Sequence, residues 1–271
     1  MLQLLRTEWL KIKNYRAFWL VMSLTALSYP GINYIFFNIF KEFTERKDAA
    51  GQIANMFLGN PFAFPEIWRT TAYASSFFVF IPAIVVIMLI TNEYTYKTSR
   101  QNIIDGWDRN QFMASKLLDV LIITGIIVAL YTTLTVVIGV YNDSANAKDK
   151  WSLTYYIGLF ALQTFAQLSI AFMVGFLVRK AFIALGIFVF YFIILEPMGM
   201  GLLKKYTNDL GRFLPLEISD RIIPPPSFVG RFNEEDYKKA LDQVNIHILY
   251  TFLLIAIVWS FCFWLNKKRD L

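Results

Sequence analysis

Residue types that carry out covalent chemistry are scarce in this chain of 271 residues. It holds one Cys, Cys262, and one His, His247. A lone Cys forms no internal disulfide, and one His with one Cys falls short of the ligand sets that zinc sites use. The same scarcity argues against intramembrane proteolysis, either by paired Glu with several His or by Gly-x-Ser with His. No Gly-x-x-x-x-Gly-Lys-Ser/Thr loop occurs, so no nucleotide site is expected on this chain. What remains is a small set of charged side chains: a group within residues 91–116, then Asp119, then Glu196. Their chemistry is pairing, docking and positioning.

Residues 91–116 are the most informative. Gly106 is a helix stop, so the spacing predicts a short helix over 99–105. Asp108 followed by Gln111 is a capping-box start for the next helix. The short piece presents Ile103, Ile104 and Trp107 as apolar groups, framed by Arg100, Asp105 and Arg109. A simple connector has little use for those apolar residues, whereas a segment that docks into a groove on another protein needs them. Glu93 lies just upstream. Asp119 stands three residues after Lys116, the spacing of a local helical ion pair. Glu196 closes the fifth apolar stretch. A carboxylate at membrane depth makes it a candidate pathway or gate residue, the alternative being a side chain that simply meets the interface.

The elements that must hold these residues are apolar. Hydrophobic residues make up 56% of the chain and charged ones 17%, against roughly a quarter charged in ordinary soluble domains. The apolar excess gathers into stretches of about 20 residues, the length that crosses a bilayer core. Six can be marked: 17–40, 72–91, 117–140, 153–178, 181–203 and 246–265. Pro30 and Pro82 are candidate kinks. A soluble enzyme, a disordered tail and a nucleic-acid binder are excluded as first readings. The expected fold is all-α: a polytopic membrane protein with six transmembrane helices in one domain, residues 1–271. It has an N-terminal amphipathic interfacial helix (1–16), a short cytoplasmic helix within 92–116 and an extracytoplasmic segment over 204–245. The first stretch follows a charged segment and shows no small-residue cleavage site, so it reads as a retained helix.

Six spans put both termini on one side, and the charges say which. The termini with loops 92–116 and 179–180 carry 13 Lys/Arg against five Asp/Glu, a net +8, whereas the opposite loops carry 13 of each. The positive-inside tendency then makes both termini cytoplasmic. In the N-terminal helix Leu2, Leu5, Trp9 and Ile12 share one arc, with Thr7, Lys11 and Asn14 opposite, a pattern that suits the interface plane. In the 204–245 segment, residues 213–216 and Ile222-Ile223 fit an apolar cap, and 234–243 a polar surface helix leading into the last span. Turns are expected at Asn60-Pro61 and Phe64-Pro65. His247 reads as a packing or interfacial residue, the Trp and Tyr near span ends as an aromatic belt, and Lys267-Lys268-Arg269 as an anchor.

Glu93-Tyr94, Thr98, Arg100, Gly106, Arg109, Phe112 and Lys116 together resemble the loop between the second and third spans of ABC-2-type transporter permeases. Residues 8–13, Glu-Trp-Leu-Lys-Ile-Lys, and the tight Arg179-Lys180 turn are similar to that family as well. Lys97 stands where a small residue is frequent and Asp108 where Ser or Thr is frequent. The resemblance implies the transmembrane subunit of an ABC exporter in a bacterial cytoplasmic (inner) membrane, with no enzyme activity and no cofactor of its own. Its implied partners are cytoplasmic ABC ATPase subunits that bind ATP, a second permease chain (identical or related) and membrane lipids, with no nucleic acid. Glu93, Arg100, Ile103, Ile104, Trp107 and Arg109 are the implied coupling residues. The competing reading is a stand-alone secondary transporter or channel. That would call for ionisable residues mid-membrane, and only Asp119 and Glu196 are available, both near span ends.

Overall fold

A computed structural model describes residues 2–44, 60–142, 149–207, 209–230 and 234–268, with backbone alone for residues 2–6, 43 and 230. The expected apolar side chains of Leu2 and Leu5, residues 45–59 of the first long loop and the anchor residue Arg269 lie outside the described residues. The order is α1 (Leu2–Asn14), α2 (Arg16–Thr44), α3 (Ile67–Ser76), α4 (Phe80–Thr95), α5 (Thr98–Ile104) and α6 (Arg109–Tyr141). Then come α7 (Tyr155–Val178), α8 (Ala181–Phe190), α9 (Glu196–Tyr206), α10 (Pro215–Asp220), α11 (Ser227–Gly230) and α12 (Glu234–Lys268). A π turn, Tyr191–Leu195, joins α8 to α9, and a 3-10 turn, Leu210–Phe213, precedes α10. Among the described residues there is no strand, and the chain is an all-α, polytopic membrane protein.

Five helical stretches are long and apolar enough to cross a membrane, or six when α3 and α4 count as one broken span. Pro30 leaves α2 unbroken. In the second span the helix breaks over residues 77–79 and bends by 52°. Pro82 contributes to that break, since it has no N–H to give to the Phe78 carbonyl; that oxygen accepts from Ile81 N–H at 3.1 Å instead. The last span is longer than its apolar stretch alone. Residues 234–243 are helical and lead into the last span without a break, because Ala240 to Val244 carry no Gly or Pro and the helix runs on as one 35-residue rod, α12.

α7 sits at the centre, packed against α4, α6, α8, α10 and α12. Its approach to α4 is close at Gly175, where an added Cβ would fall 2.6 Å from Ile90 Cγ2 and 3.3 Å from Ile87 Cα, so only glycine fits. Buried aromatic rings fill the layer above it: Tyr131 stacks near Phe160 at 4.5 Å between centroids, and its hydroxyl donates to the Trp68 carbonyl at 2.7 Å. The expected apolar cap is present in part: Leu216, Ile222 and Ile223 are buried, while Phe213 is exposed.

Candidate functional site

On the side that carries both termini, the chain leaves α4 through Lys97 and enters α5 directly. Lys97 adopts a left-handed conformation, φ 56°, which a small residue, glycine above all, takes at less cost. α5 runs over Thr98–Ile104, one residue off the expected 99–105, and stops at Gly106, φ 98°. Asp108 then starts α6 with the expected capping box: its carboxylate meets the Gln111 N–H, and Gln111 Oε1 accepts from Asp108 N–H at 3.2 Å.

The residues singled out in the sequence separate into two kinds. Arg100 is exposed, Ile103 and Trp107 are half-buried, and Ile104 is 78% exposed, so α5 turns an apolar face outward. Glu93 and Arg109 point back into the protein. Arg109 donates to the Lys267 carbonyl at 2.7 Å and the Asn266 carbonyl at 3.3 Å, and its own carbonyl accepts from Asn266 Nδ2 at 2.9 Å. A guanidinium on the last carbonyls of α12 is favoured both by hydrogen bonding and by the helix dipole.

Glu93 belongs to a buried charge cluster. Lys116 Nζ lies 2.7 Å from Glu8 Oε2, 2.8 Å from Glu93 Oε1 and 3.0 Å from Asp119 Oδ2. Lys11 Nζ, at the edge, reaches Glu8 Oε1 at 3.0 Å and Glu93 Oε1 at 3.1 Å. Thr98 Oγ1 donates to the second oxygen of Glu93, which ties the first residue of α5 to α4. Three carboxylates and two ammoniums thus bolt α1, α4 and α6 together, with α5 attached. Burial opposes ionisation of Glu8, which is 1% exposed, but the Lys116 and Lys11 ammoniums outweigh it and hold the carboxyl below its usual range. The Lys116–Asp119 pair was legible from its spacing. Glu8 was missed, although it sits at the edge of the arc that contains Ile12, its buried neighbour one turn on.

The opposite end holds a different arrangement. After α9 the chain folds back so that α10 reaches into the bundle. Asp220 Oδ1 accepts from Gln163 Nε2 and Gln167 Nε2, each at 2.6 Å. Those glutamines lie 8 and 12 residues into α7, about 12 and 18 Å along the helix, so α10 packs well inside the length of α7. Glu196, the candidate gate residue, is buried and accepts from the Glu217 N–H at 2.6 Å, in the first turn of α10. It does the work of a cap that Leu214 lacks the side chain to do. The π turn ahead of it adds a residue to the helical repeat, and the buried position moves from Phe188 in α8 to Glu196 in α9. His247 Nδ1 lies 3.2 Å from the Ile218 carbonyl and Thr251 Oγ1 donates to the same oxygen at 3.4 Å, which packs α10 against α12. Arg221 next door is committed elsewhere, to Asp209 at 2.7 and 2.9 Å and to Glu217 at 2.7 Å. Asp220 therefore has amide partners only, and burial, reinforced by the Glu217 and Glu196 carboxylates, pushes its carboxyl up to about 7. Arg221 acts the other way on Asp209, whose carboxyl its hydrogen bonds hold below the usual range. Gln163 and Gln167 escaped notice in the sequence; two amides one turn apart inside an apolar span were the available signal.

Helices long and apolar enough to cross a membrane, with an amphipathic α1 and a short α10 packed against them, make this a multi-pass membrane protein. Residues 4–195 match the model of the family described as ABC-2 family transporter protein. The chain belongs to that family, and it is the permease type of subunit, which is not itself the catalytic part of an ABC transporter. The match ends one residue before Glu196, so it takes in the charge cluster and α5 but not α10. No curated protein matches the sequence significantly.

Proposed function

We propose that this chain forms the membrane pathway of an ATP-driven exporter, as one of two permease chains, identical or related, served by separate ATPase subunits. Both termini face the cytoplasm of a bacterial cell, and α5 is the coupling helix on which an ATPase docks through Ile103, Ile104 and Trp107, with Arg100 at the rim. The observation that carries this reading is the pairing of an outward apolar face on α5 with an inward anchor. Ile104 is 78% exposed, and six residues earlier Thr98 is hydrogen-bonded to Glu93 of the buried cluster. A push on α5 is therefore delivered to α4, α6 and α1 together, and α7, packed on both α4 and α6, moves with them. ATP chemistry takes place on the partner; the residues of this chain dock, hold position and pass on displacement. Glu93 and Arg109 act as positioning residues, one fixing α5 to α4 and the other fixing the start of α6 to the end of α12. Glu196 shapes the outer end of the pathway by capping α10.

The test is twofold. Purification of the tagged chain in mild detergent is expected to bring an ABC ATPase with it; purification with no such partner would favour the stand-alone transporter. In the reconstituted complex, Ile104→Asp or Trp107→Asp is expected to uncouple ATP hydrolysis from transport, with roughly tenfold or greater loss of transport per ATP, because a charge is placed in a desolvated contact. Wild-type coupling in both variants would sink the assignment of α5.

A further inference from the structure

On the side of both termini, α5, the ends of α4, α7 and α12, the start of α6 and the Arg179-Lys180 turn enclose an open groove of about 440 Å³. Four cations line it: Lys97, Arg100, Arg179 and Lys180, and no carboxylate does. None of the four makes an ion pair among the described residues. The Arg179 guanidinium lies over the Tyr94 ring at 4.7 Å, and its Nε is buried without a hydrogen-bond partner. Arg179 itself takes a left-handed conformation, φ 60°, to make the two-residue turn that brings Arg179 and Lys180 together. The terminal nitrogens of Arg179, unlike its enclosed Nε, are accessible and without a partner among the described residues, and they are the donors that a charged oxygen ligand in the groove would meet.

The flanks of the groove narrow the choice of ligand. Leu177 on α7 and Phe182 and Ile183 on α8 are exposed, Phe182 by 90%. They stand two or three residues from the Arg179-Lys180 turn, on helices that cross the membrane, so apolar side chains continue directly from the cationic mouth into the hydrocarbon region. A docked protein alone has no use for that continuation; a molecule with a phosphate at one end and acyl chains at the other does. Basic pockets between span ends are suited to such headgroups, each Lys or Arg adding about 1 kcal/mol of attraction to an anionic lipid.

We propose that this groove is a binding site for the phosphate of an anionic phospholipid, held by Arg179 and Lys180 with Lys97 and Arg100 at its rim, its acyl chains lying along α7 and α8. A lipid seated there stabilises the turn between the fourth and fifth spans and makes the bilayer part of the surface next to α5.

The test uses the full chain in detergent micelles and native mass spectrometry. Dioleoyl phosphatidylglycerol is expected to be retained over dioleoyl phosphatidylcholine. Arg179→Gln with Lys180→Gln should cut that preference, about fivefold for each cation removed. Lys267→Gln with Lys268→Gln removes the same charge elsewhere on the same side and should leave the preference intact. Three results would overturn the proposal: equal retention of the two lipids, an undiminished preference in the Arg179/Lys180 variant, or an equal loss in the Lys267/Lys268 variant, which would mean diffuse surface charge. Displacement by inorganic phosphate at the concentration of the lipid would assign the site to the free ion. Displacement by hexaglutamate with no preference between lipids would assign it to an acidic protein partner.

Discussion

The two ends of the bundle bury carboxylates in opposite ways. On the terminus side Glu8, Glu93 and Asp119 surround Lys116, and the ammonium answers all three at 2.7–3.0 Å. On the far side Asp220 is met only by the amides of Gln163 and Gln167, while the nearby guanidinium of Arg221 serves Asp209 and Glu217. A carboxylate met by two ammoniums, as Glu8 is by Lys116 and Lys11, is held in its charged form; one held by neutral amides is free to take up a proton without losing its partners. The first arrangement suits a joint that must keep its shape under load. The second suits a segment whose hold on the bundle is adjustable.

Removing the central cation should break the comparison most forcefully. Lys116→Met leaves three buried carboxylates with only the half-exposed Lys11, and a loss of about 3–5 kcal/mol is expected. Thermal unfolding in detergent should show a large drop in midpoint or no folded protein at all, whereas Asp220→Asn, which keeps an acceptor for the glutamines, should shift it little. An unchanged midpoint in Lys116→Met would show that the cluster does not hold α1, α4 and α6 together.

Acid should then separate the two ends. The Glu8 carboxyl lies below its ordinary value in the folded protein, so its contribution is present at neutral pH and lost as pH falls through that lowered value. Asp220 behaves inversely. Its carboxyl titrates at about 7 when α10 is docked, against roughly 4 for a solvated Asp, so docking is strongest in acid and weakens roughly tenfold per pH unit between those values as pH rises. Amide hydrogen exchange over residues 214–223, corrected for intrinsic rates, should show protection falling from pH 5 to pH 7 in the wild type and level in Asp220→Asn. A level wild-type profile would remove the idea of an adjustable hold.

Smaller changes sharpen the picture. Glu196→Leu takes away the acceptor for the Glu217 N–H and should cost about 1 kcal/mol, the usual price of a lost cap, seen as faster exchange within α10 alone. Exchange that spreads to α4 or α6 would contradict a local role. Lys97→Gly relieves a left-handed lysine at the cost of chain entropy, and a net gain of roughly 0.5 kcal/mol is expected. A lowered midpoint would mean that the Lys97 side chain, not its backbone, matters at the start of α5.

What could be read from the sequence was local. The stop at Gly106, the box at Asp108 and Gln111, and the Lys116–Asp119 pair each rest on residues within four positions of one another, where helix geometry alone decides the contact. Glu8 lies 108 residues from Lys116, and Asp220 lies 57 and 53 from its glutamines. Nothing in periodicity relates such positions, because the contact exists only once separate helices have packed. The bend in the second span was half legible: Pro82 marked it, but the position of the break at 77–79 depends on which carbonyl finds a substitute donor.

The continuity of α12 has a mechanical consequence. At 1.5 Å per residue α12 is about 52 Å long, well beyond the hydrocarbon thickness it crosses. His247 and Thr251 hold the Ile218 carbonyl of α10, and Asn266, near the end of α12, holds the backbone of Arg109 at the start of α6. His247 and Thr251 lie at the middle of this beam, so they act as its pivot: a tilt of about 5° there carries Asn266, about 22 Å away along the helix, by about 2 Å. Movement at the foot of α6 thus swings one arm of α12 about the hold that α10 has on its middle, and the firmness of that hold sets how far the other arm follows.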